Sequence, residues 1–238
     1  MVLARSLAYF AALVLSTVVF GLVLVVAGWL MPVAWREAIG NAWGAVNLWA
    51  LKSICGLGYR VTGEENLSSR PAIIMSKHQS TWETISLRAI VGGHQAWVLK
   101  RELMWIPVFG WAMAIMNPIA IDRKAGRKAV RQVIDQGSRA LESGRTVIIF
   151  PEGTRTMPGT RGKYGIGGAL LAERAGVPVV PLAHNAGTFW RRRNVRKYPG
   201  TIDVVVGKPI PTSGRRAKDI IRDVEAWIEG EMNRLPTD

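Results

Sequence analysis

His78 stands three residues beyond an apolar run, Pro71-Ala-Ile-Ile-Met75, and five residues ahead of Glu83. A short buried strand giving way to a helix here would leave the imidazole at the strand end, where a nearby acid can orient it as a general base. Ser80-x-x-Glu83 is also a capping box, which accounts for both residues as helix-start chemistry. The residues alone leave the two readings open. Three further clusters carry chemistry. Phe150-Pro-Glu-Gly-Thr-Arg155 follows an apolar strand; Gly153 lets a ligand approach the backbone, and Arg155 offers a planar fork to a phosphate. Ile121-Asp-Arg-Lys124, followed by Arg127, Lys128 and Arg131, is a second basic group, and the part from Lys124 to Arg131 reads as a solvated helix start. Trp190-Arg-Arg-Arg-Asn-Val-Arg-Lys-Tyr198 sets five basic residues between aromatics, a composition suited to nucleic acid or to anionic lipid headgroups. His94 and His184 read as structural. There are no paired cysteines and no His-x-x-x-His spacing, so no metal site is expected.

The elements that must position these groups can be read from periodicity and breakers. From Ser6 to Trp35 no residue is charged. One membrane crossing needs roughly 20 apolar residues and two need about 40, so one helix over about residues 6–30, ending before Pro32, fits the run. Asn41 to Gly58 carries Trp43, Val46, Ala50, Ile54 and Leu57 at helical spacing and reads as an interfacial helix over about 41–58, with an ordinary core-packing helix as a nearly equal reading. Residues 1–58 are thus expected to be a membrane anchor and 59–238 a single α/β domain. In that domain, strands expected at 73–75, 96–99, 145–150, 177–182 and 201–206 alternate with helices after Ser80 and over 127–141 and 166–174. An amphipathic helix carrying Ile220, Val224, Trp227 and Ile228 closes the chain. Met104 to Ile121 is charge-free, but Pro107, Gly110 and Pro118 interrupt it, so it is expected to form an apolar wall and not a second crossing. The formal charge of +14 calls for anionic partners. With a membrane helix present, lipid headgroups are favoured and no nucleic-acid partner is expected. The single Cys55 excludes an intramolecular disulfide.

In their order along the chain, His78-x-x-x-x-Glu83, Ile119-Ala-Ile-Asp-Arg123, Phe150-Pro-Glu-Gly-Thr-Arg155 and Val177-Pro-Val-Val-Pro181 resemble the four motif blocks of the glycerolipid acyltransferase family, over about residues 70 to 210. Where the commonest family pattern carries Asp, this chain carries Glu83, which adds a methylene to the carboxylate's reach. The resemblance implies a mixed sheet flanked by helices. It also implies transfer of an acyl chain from acyl-CoA or acyl-carrier protein to the sn-2 hydroxyl of a 1-acyl-sn-glycerol 3-phosphate (lysophosphatidic acid), with no other cofactor and no acyl-enzyme. It makes His78 the general base and Glu83 its orienting acid. Arg123, Glu152, Gly153, Thr154 and Arg155 are placed at the glycerol phosphate, with Lys100 added from its charge and position. The implied setting is a bacterial inner membrane with the catalytic domain on the cytoplasmic face. Another acceptor (glycerol 3-phosphate, a lysophospholipid or a lyso-aminolipid) keeps the same chemistry, and a non-catalytic binder of anionic membranes is the reading from outside the enzyme class.

Overall fold

The computed structural model describes residues 1–236. In chain order the elements are α1 (Val2–Ala27), α2 (Val33–Cys55), β1 (Leu57–Thr62), β2 (Ile73–Ser76), α3 (Trp82–Val91), β3 (Gln95–Lys100), α4 (Phe109–Ile115), β4 (Ile119–Ile121), α5 (Arg127–Glu142), β5 (Thr146–Ile149), α6 (Gly167–Ala175), β6 (Val179–His184), α7 (Ala186–Phe189), β7 (Gly200–Val206) and α8 (Ala217–Met232). The strands form one seven-stranded sheet in the order β1-β7-β6-β2-β5-β3-β4. All neighbours are parallel except β6 and β7, so the sheet is mixed.

Every residue of β2 is buried, as a central parallel strand covered on both faces requires. Alternation then divides the core. Ile74 packs with Leu51, Trp82, Ile85, Ile148 and Val180 under α2 and α3. Ile73 and Met75 pack with Val133, Leu171, Val179, Ile220 and Val224 under α5, α6 and α8. Because β2 to β6 run parallel, their carboxyl ends share one edge of the sheet. That edge carries Lys100 from β3, the residues after β2, β4 and β5, and His184 at the end of β6. Open α/β sheets bind their ligands at such an edge.

The N-terminal helices differ from the expected ones in extent and in packing. α1 starts at Val2, and Gly28–Leu30 form a short 3₁₀ turn before Pro32. α2 starts at Val33, eight residues ahead of the expected interfacial helix, because Pro32 fits the residue before a helix and nothing after it breaks the run. The two helices form an antiparallel hairpin: Ser16 Oγ donates to Asn47 Oδ1 at 3.0 Å, and Cys55 lies against the Arg5 carbonyl. The expected stripe on α2 packs largely inward. Ala50 is buried, and Trp43 and Ile54 pack against the core, while Trp35, Val46 and Trp49 face out. Two features draw this helix onto the body. Glu37, 3 % exposed, pairs with Arg88 of α3 at 3.1 Å and with Arg145 at 3.7 Å. Breaking one partner of such a buried pair costs about 3–5 kcal/mol. Gly44 lets the backbones meet, since a Cβ there would lie 2.9 Å from the Ile85 carbonyl oxygen.

α1 is the one helix among the described residues long and apolar enough to cross a membrane. Ser6, Tyr9, Gly21 and Leu24 face the protein. Leu3, Leu7, Phe10, Val14, Val18, Leu22 and Val26 form a continuous exposed apolar face at three- and four-residue spacing, which suits contact with lipid. At the basic segment after Trp190 one expected surface charge is turned inward. Lys197 is 2 % exposed, with its ammonium 5.2 Å from the Tyr9 ring centre and 4.5 Å from that of Trp190. Trp190 at the start of the segment and Tyr9 of α1 make an internal cation site that the segment's composition conceals.

Candidate active site

The loop after β2 brings His78 and Glu83 together. His78 Nδ1 lies 2.8 Å from Glu83 Oε1, and the same oxygen accepts the backbone N–H groups of Gln79 and Ser80, each at 2.7 Å. Glu83 can reach back because α3 begins only at Trp82, which puts its carboxylate in the first turn, pointing toward the residues before the cap. The capping box is half formed. Glu83 takes the Ser80 N–H as the box requires, whereas the Ser80 hydroxyl accepts from Trp82 N–H at 3.2 Å and not from Glu83. Burial would raise the Glu83 carboxyl, but the neighbouring imidazole of His184, the hydrogen bond from His78 and the Ser80 N–H outweigh it and hold the group below its ordinary value. A carboxylate at Nδ1 accepts, so Nδ1 carries a proton, and in the neutral ring the lone pair is on Nε2. The ring stacks on Phe150 at 4.2 Å between centres with planes 17° apart, which fixes its orientation.

His78 lines a cavity of about 680 Å³, within the range of about 300–1,000 Å³ usual for ligand sites. One part is apolar and lies between the α1–α2 hairpin and α4, with Phe20, Leu24, Ile39, Ala112 and Met116 in its walls. The charge-free stretch from Met104 to Ile121 does form an apolar wall. At the other end Lys100, Arg123, Thr154, Arg155, Arg192 and Arg193 surround the space beside His78. Burial lowers the Arg155 guanidinium, against the pull of Glu83 and in concert with the repulsion of Arg192; it remains a cation. Burial likewise lowers Arg123, which donates to the Gly153 carbonyl. Lys100 pairs with Glu102 at 3.1 Å and is half exposed. Lys124, Arg127, Lys128 and Arg131 are exposed, as a solvated helix start should be.

Of the residues expected at a phosphate, Lys100, Arg123, Thr154 and Arg155 line this cavity. Gly153, at φ 65°, supplies the left-handed turn after β5 and the carbonyl that holds Arg123. Glu152 points elsewhere. Its Oε1 is 2.8 Å from Lys77 Nζ, and its Oε2 accepts the His78 N–H at 2.8 Å. Four residues of the site were missed by sequence reasoning. Lys77 and His184 are buried beside His78, and Arg192 and Arg193 join the cationic mouth. A lysine at the end of a buried strand was a signal for the first. Nothing local announced His184, which reaches the site only because β6 pairs with β2. Among the described residues no three His, Cys, Asp or Glu side chains gather as a metal site requires.

A carboxylate-locked imidazole facing a cavity with an apolar arm and a cationic mouth defines a class that can carry a long apolar chain and an anionic headgroup to one base. Residues 58–185 match the family model described as Acyltransferase, and the chain belongs to that family. It is 40 % identical over 236 residues to a 1-acyl-sn-glycerol-3-phosphate acyltransferase of Pseudomonas aeruginosa, covering 97 % of this chain and 91 % of that protein. A human 1-acyl-sn-glycerol-3-phosphate acyltransferase beta is 31 % identical over 173 residues, which span 72 % of this chain and 62 % of the relative. The fold is that of the crystal structure of the 1-acyl-sn-glycerophosphate (LPA) acyltransferase PlsC from Thermotoga maritima, with a TM-score of 0.81 at 22 % identity over 98 % of this chain and 95 % of the other.

Proposed function

We propose that the protein transfers an acyl chain from an acyl thioester, acyl-CoA or acyl-carrier protein, to the sn-2 hydroxyl of 1-acyl-sn-glycerol 3-phosphate, producing phosphatidic acid. The observation that carries this reading is the His78–Glu83 pair at the junction of the apolar arm and the cationic mouth. The relatives' names supply the acceptor.

In this reading the mouth holds the phosphate through Lys100, Arg123 and Arg155, with an Arg fork as the stronger part of the grip. His78 Nε2 takes the sn-2 hydroxyl proton as the oxygen attacks the thioester carbonyl. The carbon–oxygen bond forms, the carbon–sulfur bond breaks, and the imidazolium returns its proton to the departing thiolate. Glu83 stabilises the imidazolium between these events. A positioned base typically contributes about 10²- to 10⁴-fold, so much of the acceleration rests on holding two substrates in register. Every proton is handled by His78, and no cofactor beyond the thioester is used. The exposed face of α1 sits in lipid, so that acceptors enter the apolar arm from the bilayer. The setting is the cytoplasmic face of a bacterial inner membrane, where both donors are available.

The experiment is thiol release from acyl-CoA and from acyl-carrier protein, each measured against a panel of lysolipid acceptors. Turnover with 1-acyl-sn-glycerol 3-phosphate, and weaker turnover with glycerol 3-phosphate and lysophosphatidylcholine, is the expected result. Turnover that ignores the phosphomonoester would refute the assigned acceptor.

A further inference from the structure

We propose that His184 and a largely buried Glu229–Lys77–Glu152 chain position His78 by holding the Lys77–His78 peptide group from both ends. The idea rests on His78 being the base of the proposed reaction. On one side His184 Nε2 donates to the Lys77 carbonyl at 2.9 Å. On the other, Glu152 Oε2 accepts the His78 N–H at 2.8 Å. The next peptide is held as well: Thr156 N–H donates to the His78 carbonyl at 2.8 Å, and the Gln79 N–H goes to Glu83. No backbone polar group flanking the imidazole is left free to turn.

The chain behind Glu152 is what gives this arrangement its stiffness. Lys77 Nζ lies 2.8 Å from both Glu152 Oε1 and Glu229 Oε1, and the lysine side chain is 1 % exposed. Tyr164 donates to the same Glu229 oxygen at 2.8 Å, and its phenol is pushed up by burial and by that carboxylate, so it remains a donor. Taking a lysine and two carboxylates out of water is expensive, and a well-packed apolar set of similar volume would often be more stable. A fixed geometry for the adjacent base is a return that an apolar set could not give. Glu229 sits in the last turns of α8, so the C-terminal helix reaches the base through Lys77. His184 is equally specific. It is fully buried, burial pushes its pKa down, and Nδ1 accepts the Ala186 N–H at 3.2 Å, which leaves Nε2 as the donor. His184 and Glu229 touch no reacting atom in this account; both are positioning residues.

The test uses the full-length protein in detergent–lipid micelles, with 1-acyl-sn-glycerol 3-phosphate, acyl-CoA and thiol release as readout. His184→Leu fills the site without a donor, and His184→Gln keeps a donor at similar reach. The Leu variant should lose about 100-fold in kcat, the usual cost of an ångström-scale misplacement, with KM for the lysolipid unchanged. The Gln variant should recover most of that loss whatever its melting temperature. Equal kcat in the two variants, or a loss that tracks melting temperature alone, overturns the proposal. Should the Leu variant not fold, Glu229→Gln decides. A fall in kcat at constant KM supports the clamp, and an unchanged kcat overturns it. Thiol release by the unsubstituted protein, and its loss in His78→Ala, tests the underlying reaction separately.

Discussion

Glu83→Gln separates two jobs that the carboxylate performs. A carboxamide in place of a triad acid usually costs about 10⁴-fold, because its NH₂ turns toward the histidine and imposes the wrong tautomer. Here the oxygen that meets His78 Nδ1 also accepts from Gln79 N–H and Ser80 N–H, both at 2.7 Å. Turning the amide would bring NH₂ against two backbone donors, so the carbonyl oxygen stays and Nδ1 keeps its proton. What is lost is the negative charge. For an imidazolium and a carboxylate with charge centres about 4 Å apart, at an effective dielectric near 20, Coulomb's law gives about 4 kcal/mol. That is about a thousandfold in rate. Glu83→Ala loses the charge and the tautomer lock together and should fall further, toward about 10⁴-fold. The assay is kcat from thiol release at saturating acceptor, with folding checked by thermal melting. A Gln variant within tenfold of the unsubstituted protein, or one no better than Ala, would refute this account of the dyad.

Four other outcomes follow from the same geometry. His184 is buried and neutral, with its folded pKa below the unfolded value of about 6.5. The unfolded chain therefore binds a proton that the folded one does not, and stability should fall as pH drops below about 6.5, by at most about 1.4 kcal/mol per unit; His184→Gln should remove that slope in denaturant titrations. Glu83, held below its ordinary value, keeps its full contribution above about pH 4.3 and loses it only as pH falls through its folded value. Arg155→Ala should raise KM for 1-acyl-sn-glycerol 3-phosphate by about tenfold or more, one charge-assisted contact being worth about 1.5–3 kcal/mol, while melting temperature hardly moves. Gly44→Val drives a side chain into the Ile85 carbonyl and Arg88, and should destabilise by about 1–3 kcal/mol, read from thermal unfolding in detergent.

The meeting of His78 and Glu83 was legible because strand-end placement, a first-turn acid and motif order all pointed to the same residues. So were the strands leading to it: Ile73–Met75 of β2 and Val147–Ile149 of β5 are short apolar runs, with Pro71 before the first and Pro151 after the second. β1 was missed. It lies at the sheet edge, most of its residues are at least partly exposed, and its partner β7 is more than 130 residues away, so no local pattern marks it. Glu152 was expected at the glycerol phosphate, and its side chain instead meets Lys77 and the His78 N–H, because a motif fixes where a backbone goes and not what a side chain meets. Its partner Lys77 lies next to His78 in sequence, yet its ammonium reaches Glu229 of α8 while the His78 ring meets Glu83. The α2 stripe was visible as a stripe, but periodicity cannot tell a lipid-facing surface from one packed on protein; Glu37 and Asn47, buried inward, settle which it is.

The central claim is that His78 Nε2 removes the acceptor's proton directly, with no acyl-enzyme. Its most direct test is thiol release by His78→Ala in lipid micelles containing 1-acyl-sn-glycerol 3-phosphate and acyl-CoA. The account predicts that turnover falls by at least about 10²-fold, the lower bound for a positioned base, while the variant still binds the micelles and melts as the unsubstituted protein does. Full turnover by a folded His78→Ala variant would contradict it.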